Sequence, residues 1–115
     1  MNTENQNAQM RKGVLELCVL SIIAGNDAYA SDIIARLKNA KLIVVEGTLY
    51  PLLTRMKNEG LTAYRWEESR SGPPRKYHQI TEEGKRLLES LKADWMDLTD
   101  SVDHLLKDSE SINQQ

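Results

Sequence analysis

Two histidines, one cysteine and a row of aspartates are the side chains of this 115-residue chain that could carry catalytic or metal chemistry. His78 stands in a segment patterned as a strand, and His104 in an acidic helical one. Neither has a cysteine, a glycine-rich phosphate loop or HxxxH spacing beside it, so each reads as a solvated or partly packed histidine. Asp97, Asp100 and Asp103 recur every third residue, but carboxylates strung along a helix without a complementary turn make a poor oxygen cage. They read as a solvated acidic face. Cys18 is the only cysteine, which rules out an intrachain disulfide and a cysteine-cluster metal site and points to a reducing, cytoplasmic setting. The expectation is therefore no enzyme, no catalytic residue, no metal and no cofactor.

Chemistry of another kind is written in the charges. The formal net charge is −2, yet its sign is segregated. "RWEESRSGPPRK", residues 65–76, sets Arg65, Arg70, Arg75 and Lys76 against Glu67 and Glu68, whereas residues 97–115 set five carboxylates against Lys107. Segregated charge steers a partner to one surface. A second candidate surface is "GTLYPLLTRMKN", 47–58. At helical spacing Leu49, Leu52, Leu53 and Met56 share one face, leaving Gly47, Tyr50, Pro51, Thr54, Arg55 and Asn58 on the other. That outer face is small, polar, aromatic and basic.

The elements that must position these residues fit one small domain. Hydrophobic residues make up 40% and charged residues 28%, an ordinary globular mixture. The pattern predicts a helix over Ala8–Ala24, apolar on several faces from Val14 onward and hence in need of more than one neighbour. Arg11 and Lys12 before this run, with Ala28-Tyr29-Ala30 after it, imitate a secretion signal. Glu16 interrupts the run, Glu4 precedes the basic pair, and cleavage would remove a core helix, so a cytosolic helix is the better reading. The run is also too short to span a bilayer, and no membrane partner is expected. A shorter helix fits Ala30–Asn39, its end marked only by Asn39. "LIVV", 42–45, suits either a brief strand or an extended connector. The helix of Leu49 ends before Gly60. Two β segments, Leu61–Ser69 and Arg75–Thr81, flank the "RSGPP" turn. Thr81 then caps a long helix with Glu82 and Glu83 in its first turn, and glycine at 84 leaves the capping box incomplete.

In that last helix Leu88, Leu91, Trp95, Leu98, Val102 and Leu105 step by three and four residues, a heptad seam. Over 82 to about 107 it is roughly 40 Å long, more than one small core covers. A second copy is the simplest partner, giving a symmetric homodimer. The division expected is a DNA-binding unit over 1–81, a dimerisation helix over 82–108 and a disordered tail over 109–115.

Helix, helix, helix, β-ribbon is the order of a winged helix-turn-helix. The fold class expected is mainly α with a small β-ribbon and a long C-terminal dimerisation helix, the third helix entering the major groove of double-stranded DNA. A basic ribbon tip and a recognition face free of central carboxylates suit a polyanion. The competing reading is a winged-helix protein-interaction module without a DNA role. Pro51 bears on the geometry. With Thr48 as cap it falls at N3, where the N–H is free anyway; with a start at Val45 or Glu46 one internal bond is lost.

"GTLYPLLTRMKNEGL" (47–61) and "GPPRKYHQITEEGKRLL" (72–88), in this order and at this spacing, resemble the PadR-like transcriptional regulators, and the single C-terminal helix resembles their short subfamily. The chain departs at Pro73, where the family often has arginine, and at His78, where tyrosine is common. The resemblance implies a homodimeric bacterial repressor that releases promoter DNA on binding a small molecule or under chemical stress. By position it implies Thr48, Tyr50, Thr54 and Arg55 facing DNA, with Arg75 and Lys76 acting from the wing; Arg70 is either a phosphate contact or a solvated loop charge. It also implies a role for Trp95. A tryptophan at the matching place stacks on planar aromatic drugs in a multidrug-binding member of the short subfamily, with Met10, Val14 and Leu17 or Cys18 lining the same space. Alternatively Trp95 fills the dimer core, as large aromatics on a seam usually do.

Overall fold

The structure, a computed structural model, describes the backbone of residues 3–113 and the side chains of residues 6–110. The elements are α1 (Thr3–Lys12), α2 (Leu15–Gly25), α3 (Ala30–Asn39), α4 (Glu46–Asn58), β1 (Thr62–Glu67), β2 (Arg75–Ile80) and α5 (Glu82–Asn113). The helix predicted over Ala8–Ala24 is thus two. The Val14 N–H turns back to the Arg11 carbonyl, three residues away, and Val14 takes φ −110° and ψ 1°. Gly13 resists a helical backbone weakly. The polar α1, whose described side chains are exposed, has no apolar face to hold it in line with α2. Residues 42–45 form an extended connector rather than a strand, with Leu42 and Val44 turned inward while Ile43 and Val45 face out.

The core is a three-helix wedge. Val19, Leu20 and Ile23 of α2, Ile33 and Leu37 of α3, and Leu49, Leu53 and Met56 of α4 are almost completely buried against one another. The buried residues of α4 belong to the three-and-four stripe read from the sequence, and such a stripe has one rotation that buries its apolar side chains. Fixing the rotation of α4 in this way determines which of its residues face outward.

The helix ends follow local chemistry. After α4, the N–H groups of Gly60 and Leu61 reach the carbonyls of Lys57 and Met56, with Gly60 at φ 78°. This is a Schellman turn, and glycine accepts its left-handed backbone without a Cβ clash. The same pair of bonds closes α3, from Lys41 to Lys38 and from Leu42 to Leu37, but here the left-handed residue is Lys41 at φ 64°. A lysine gives no sequence signal for such a turn. Thr81 caps α5: its Oγ1 accepts the Gly84 N–H at 3.1 Å and donates to the Gly60 carbonyl at 2.6 Å. One hydroxyl thereby ties the start of the last helix to the end of α4.

The two strands pair antiparallel with Thr62 opposite Ile80 and Glu67 opposite Arg75. Alternation puts Arg65, Tyr77 and Arg75 on one face and Tyr64, Trp66, Lys76 and His78 on the other. Two backbone bonds between Ala28 and His78, 3.1 and 2.8 Å, attach the ribbon to the α2–α3 turn, which supplies the support that a two-stranded ribbon lacks alone.

Two expectations about α5 are corrected. Leu88 is 6% exposed and belongs to the core of its own chain, with Leu91 packed partly against it, so the seam free for a partner begins near Trp95. The tail expected to be disordered over 109–115 is helical through Asn113, since neither glycine nor proline interrupts it after Lys107. Residues 114 and 115 lie outside the described residues. No helix among the described residues is long and apolar enough to cross a membrane.

Candidate nucleic-acid interface

The helix that presents the outer face starts at Glu46 with Val45 as its cap, so Thr48 is not the cap. Pro51 therefore lies beyond the first turn, and the Gly47 carbonyl loses the N–H it would otherwise receive. Gly47 is exposed and its Cα has open space around it, so water can serve that carbonyl. The proline therefore costs little there.

Tyr50, Pro51, Thr54, Arg55 and Asn58 line one open groove along α4 together with Glu59 at its end, with Tyr50 49% exposed. Tyr50 is thus a surface aromatic. The expected DNA residues nevertheless divide between two edges of this face. Tyr50 and Thr54 lie on the edge nearer the ribbon. Thr48 and Arg55, seven residues apart, lie on the edge facing the α1–α2 junction, where both line a cleft with Lys12, Gly13 and Glu16. Arg55 is held there by Glu16 at 3.3 Å and Glu59 at 3.2 Å, and these bonds hold its guanidinium still more firmly protonated. Both pairs are substantially exposed and worth at most about 1 kcal/mol each, so a phosphate could displace them.

On the ribbon, Arg75 and Lys76 point to opposite faces. The Arg75 guanidinium lies 5.3 Å from the ring of Tyr29, which stacks at 3.9 Å on Tyr77; Arg65 covers Tyr77 at 4.3 Å and pairs with Asp27. Asp27 also accepts from Gln79, so this face is fastened to the α2–α3 turn and the start of α3. Hydrogen bonding to Tyr29, followed by desolvation and by Glu67, pushes the Tyr77 phenol up. On the other face Lys76 sits 4.1 Å from the ring of Tyr64. Arg70 is exposed in the turn between the strands. Reading the sequence missed the Tyr29–Tyr77 stack and the approach of Lys57 to the Tyr64 ring. No local signal links side chains so far apart along the chain as Tyr29 and Tyr77, but the seven-residue step from Tyr50 to Lys57 was available.

The residues expected around Trp95 are only partly brought together. Val14, Leu17, Leu91, Trp95 and Leu98 line a cleft of about 150 Å³ between α2 and α5. Cys18 is turned instead into a separate cleft with Leu42, Val44 and Thr48, where burial pushes its thiol up. Met10 is 77% exposed and lines neither. Of Leu17 and Cys18, Leu17 is therefore the one that lines the Trp95 cleft, whose rim also holds Glu16 and Asp94.

Three stacked helices, a ribbon pinned beside the third and an outer helical face left open to solvent define a winged helix-turn-helix DNA-binding module. The family model of the transcriptional regulator PadR-like family matches residues 19–90, more than half of the chain, and the chain belongs to that family of DNA-binding regulators. It is similar to a PadR-like transcription factor from Bacteroides fragilis, at 54% identity over 88% of this chain and 98% of that one, TM-score 0.74. A PadR family regulator from Eggerthella lenta is 35% identical over 90% of each chain, TM-score 0.82. A PadR-like regulator from Bacillus cereus is 40% identical over 85% and 96%, TM-score 0.77. No match was found among curated protein sequences.

Proposed function

We propose that the chain is a homodimeric repressor that lays α4 in the major groove of operator DNA, sets the ribbon on the flanking backbone, and lets go when an effector binds. The observation that carries this reading is the outer face of α4: its leucine face is taken up by the core, and Tyr50, Thr54 and Asn58 are left open, the one carboxylate of their groove being Glu59 at its end, paired with Arg55. Tyr50 and Thr54 would meet base edges, whereas Thr48, Arg55, Arg70, Arg75 and Lys76 would act on the backbone, Arg55 by exchanging its glutamates for phosphate. Dimerisation rests on α5, where Trp95, Met96, Leu98, Val102, Leu105 and Leu106 are 43–67% exposed, too much apolar surface to leave in water.

Operator fragments selected from genomic DNA supply the test. Tyr50→Ala and Thr54→Ala should each weaken operator binding about 5- to 150-fold, the range for losing one base contact of about 1–3 kcal/mol. Unchanged affinity in a folded dimer would remove α4 as the reading helix. The effector, on this reading, is a planar aromatic molecule entering the Val14–Leu17–Trp95 cleft as two copies enclose it. Tryptophan quenching on titration should vanish in Trp95→Ala; quenching retained there would belong to Trp66 and end the stacking idea.

A further inference from the structure

Beyond the ribbon tip, the geometry points to a built phosphate clamp: we infer that Lys57, Tyr64 and Lys76 together grip the DNA backbone where it passes from α4 to the ribbon. This rests on the DNA-binding reading above and adds to it a residue, Lys57, and a device. The Nζ of Lys76 lies 4.1 Å and that of Lys57 5.5 Å from the centroid of the same Tyr64 ring. Two ammonium groups, one from the last turn of α4 and one from β2, therefore converge on a single aromatic ring. The ring itself is fixed. Its neighbour across the strands, His78, meets it edge-on at 5.3 Å and 86°, and His78 is buried and bonded through its backbone to Ala28.

Position and charge both favour a backbone phosphate as the ligand. Lys57 is seven residues after Tyr50 and three after Thr54, so it continues their stripe toward the ribbon. Among the described residues neither Lys57 nor Lys76 is in an ion pair, whereas Arg55 and Arg65 are each held by two carboxylates. Two like charges collected on one ring repel each other, and the ring face compensates only in part. An anion between them removes the repulsion. Trp66, 63% exposed and directly opposite Lys76 in the register, extends the same face with a flat apolar surface suited to a sugar edge.

A phosphate contact is independent of sequence, so the probe is a mixed-sequence DNA duplex titrated over a range of salt. Removing one lysine–phosphate pairing should lower the steepness of log affinity against log salt by about 1. Lys57→Gln and Lys76→Gln should each show that drop, and the double variant about twice it. Tyr64→Phe should keep the wild-type slope, while Tyr64→Leu, with both lysines present, should fall toward the double variant. Lys107→Gln, on the far helix, controls for net charge and should change nothing. A wild-type slope in folded Lys57→Gln, or an equal drop in Lys107→Gln, overturns the clamp and leaves the DNA-binding reading intact. Absence of any salt-dependent duplex binding by the wild-type dimer overturns that reading itself. If Tyr64→Leu does not fold, the exposed Lys57 variant still decides.

Discussion

Gly84→Ala should damage this protein although alanine is the better helix former. Gly84 is buried in the first turn of α5, where an added Cβ would lie well inside contact distance of the Leu61 carbonyl oxygen and 2.8 Å from Ile80 Cγ1. The oxygen is backbone and cannot swing aside. It also accepts the Thr81 N–H at 3.1 Å, next to the Thr81 hydroxyl that caps α5 and holds the Gly60 carbonyl. Relieving the clash means moving α5 off the ribbon and straining that junction. Overpacking of this kind costs about 1–3 kcal/mol. Losing the Thr81–Leu61 bond adds about 1 kcal/mol, and helix propensity returns about 1 kcal/mol. The net loss is about 2 kcal/mol, a fall in Tm of roughly 8 °C for a domain of this size. Thermal and urea unfolding at one fixed protein concentration would measure it, since the stability of the proposed dimer depends on concentration. Gly47→Ala, where the new Cβ meets nothing within 4 Å, is the control and should hold or gain stability. Gly84→Ala as stable as the wild type would refute the reasoning.

Three further outcomes follow from particular residues. Lys41→Gly should stabilise by about 1 kcal/mol in urea unfolding, because the left-handed φ of 64° strains a side chain and suits glycine. Stability should fall as pH drops below about 6.5, the value for an unfolded histidine. Burial, with Lys76 close by, holds the His78 pKa below that value, so the unfolded chain takes up the proton first; the His78→Phe variant should lose this part of the pH dependence. Because the Nδ1 of His78 has no hydrogen-bond partner among the described residues, that variant should not be less stable at neutral pH. Leu98→Lys should shift the proposed dimer toward monomer in sedimentation equilibrium, since Leu98 is 55% exposed in the single chain, while the α2–α4 core stays intact.

Periodicity served best where one helix face had one place to go. Ala30–Asn39 has the bounds expected, and the leucine stripe of α4 is buried as its spacing implied. The spacing of the last helix was correct as a period but ambiguous in purpose. Leu88 and Leu91 belong to the same three-and-four series as Leu98 and Val102, yet the first pair packs on its own chain. A period says that a stripe exists, not which neighbour covers it. The break at Gly13 and Val14 was similarly hidden, because an isolated glycine inside a helical pattern can be tolerated and does not by itself mark an end.

Sequence alone determined the order of the elements from α3 to α5, the rotation of α4 about its axis, the basic ribbon and the family, because these depend on residues near one another along the chain. Only the tertiary structure decided that Arg75 and Lys76, adjacent in sequence, serve opposite faces of the ribbon. Nor could the chain's order reveal that Arg55 is held by Glu16, that Tyr29 stacks on Tyr77, or that Lys57 and Lys76 meet over one tyrosine ring. Each of these joins residues from different elements, and their distance is set by how the core packs those elements together.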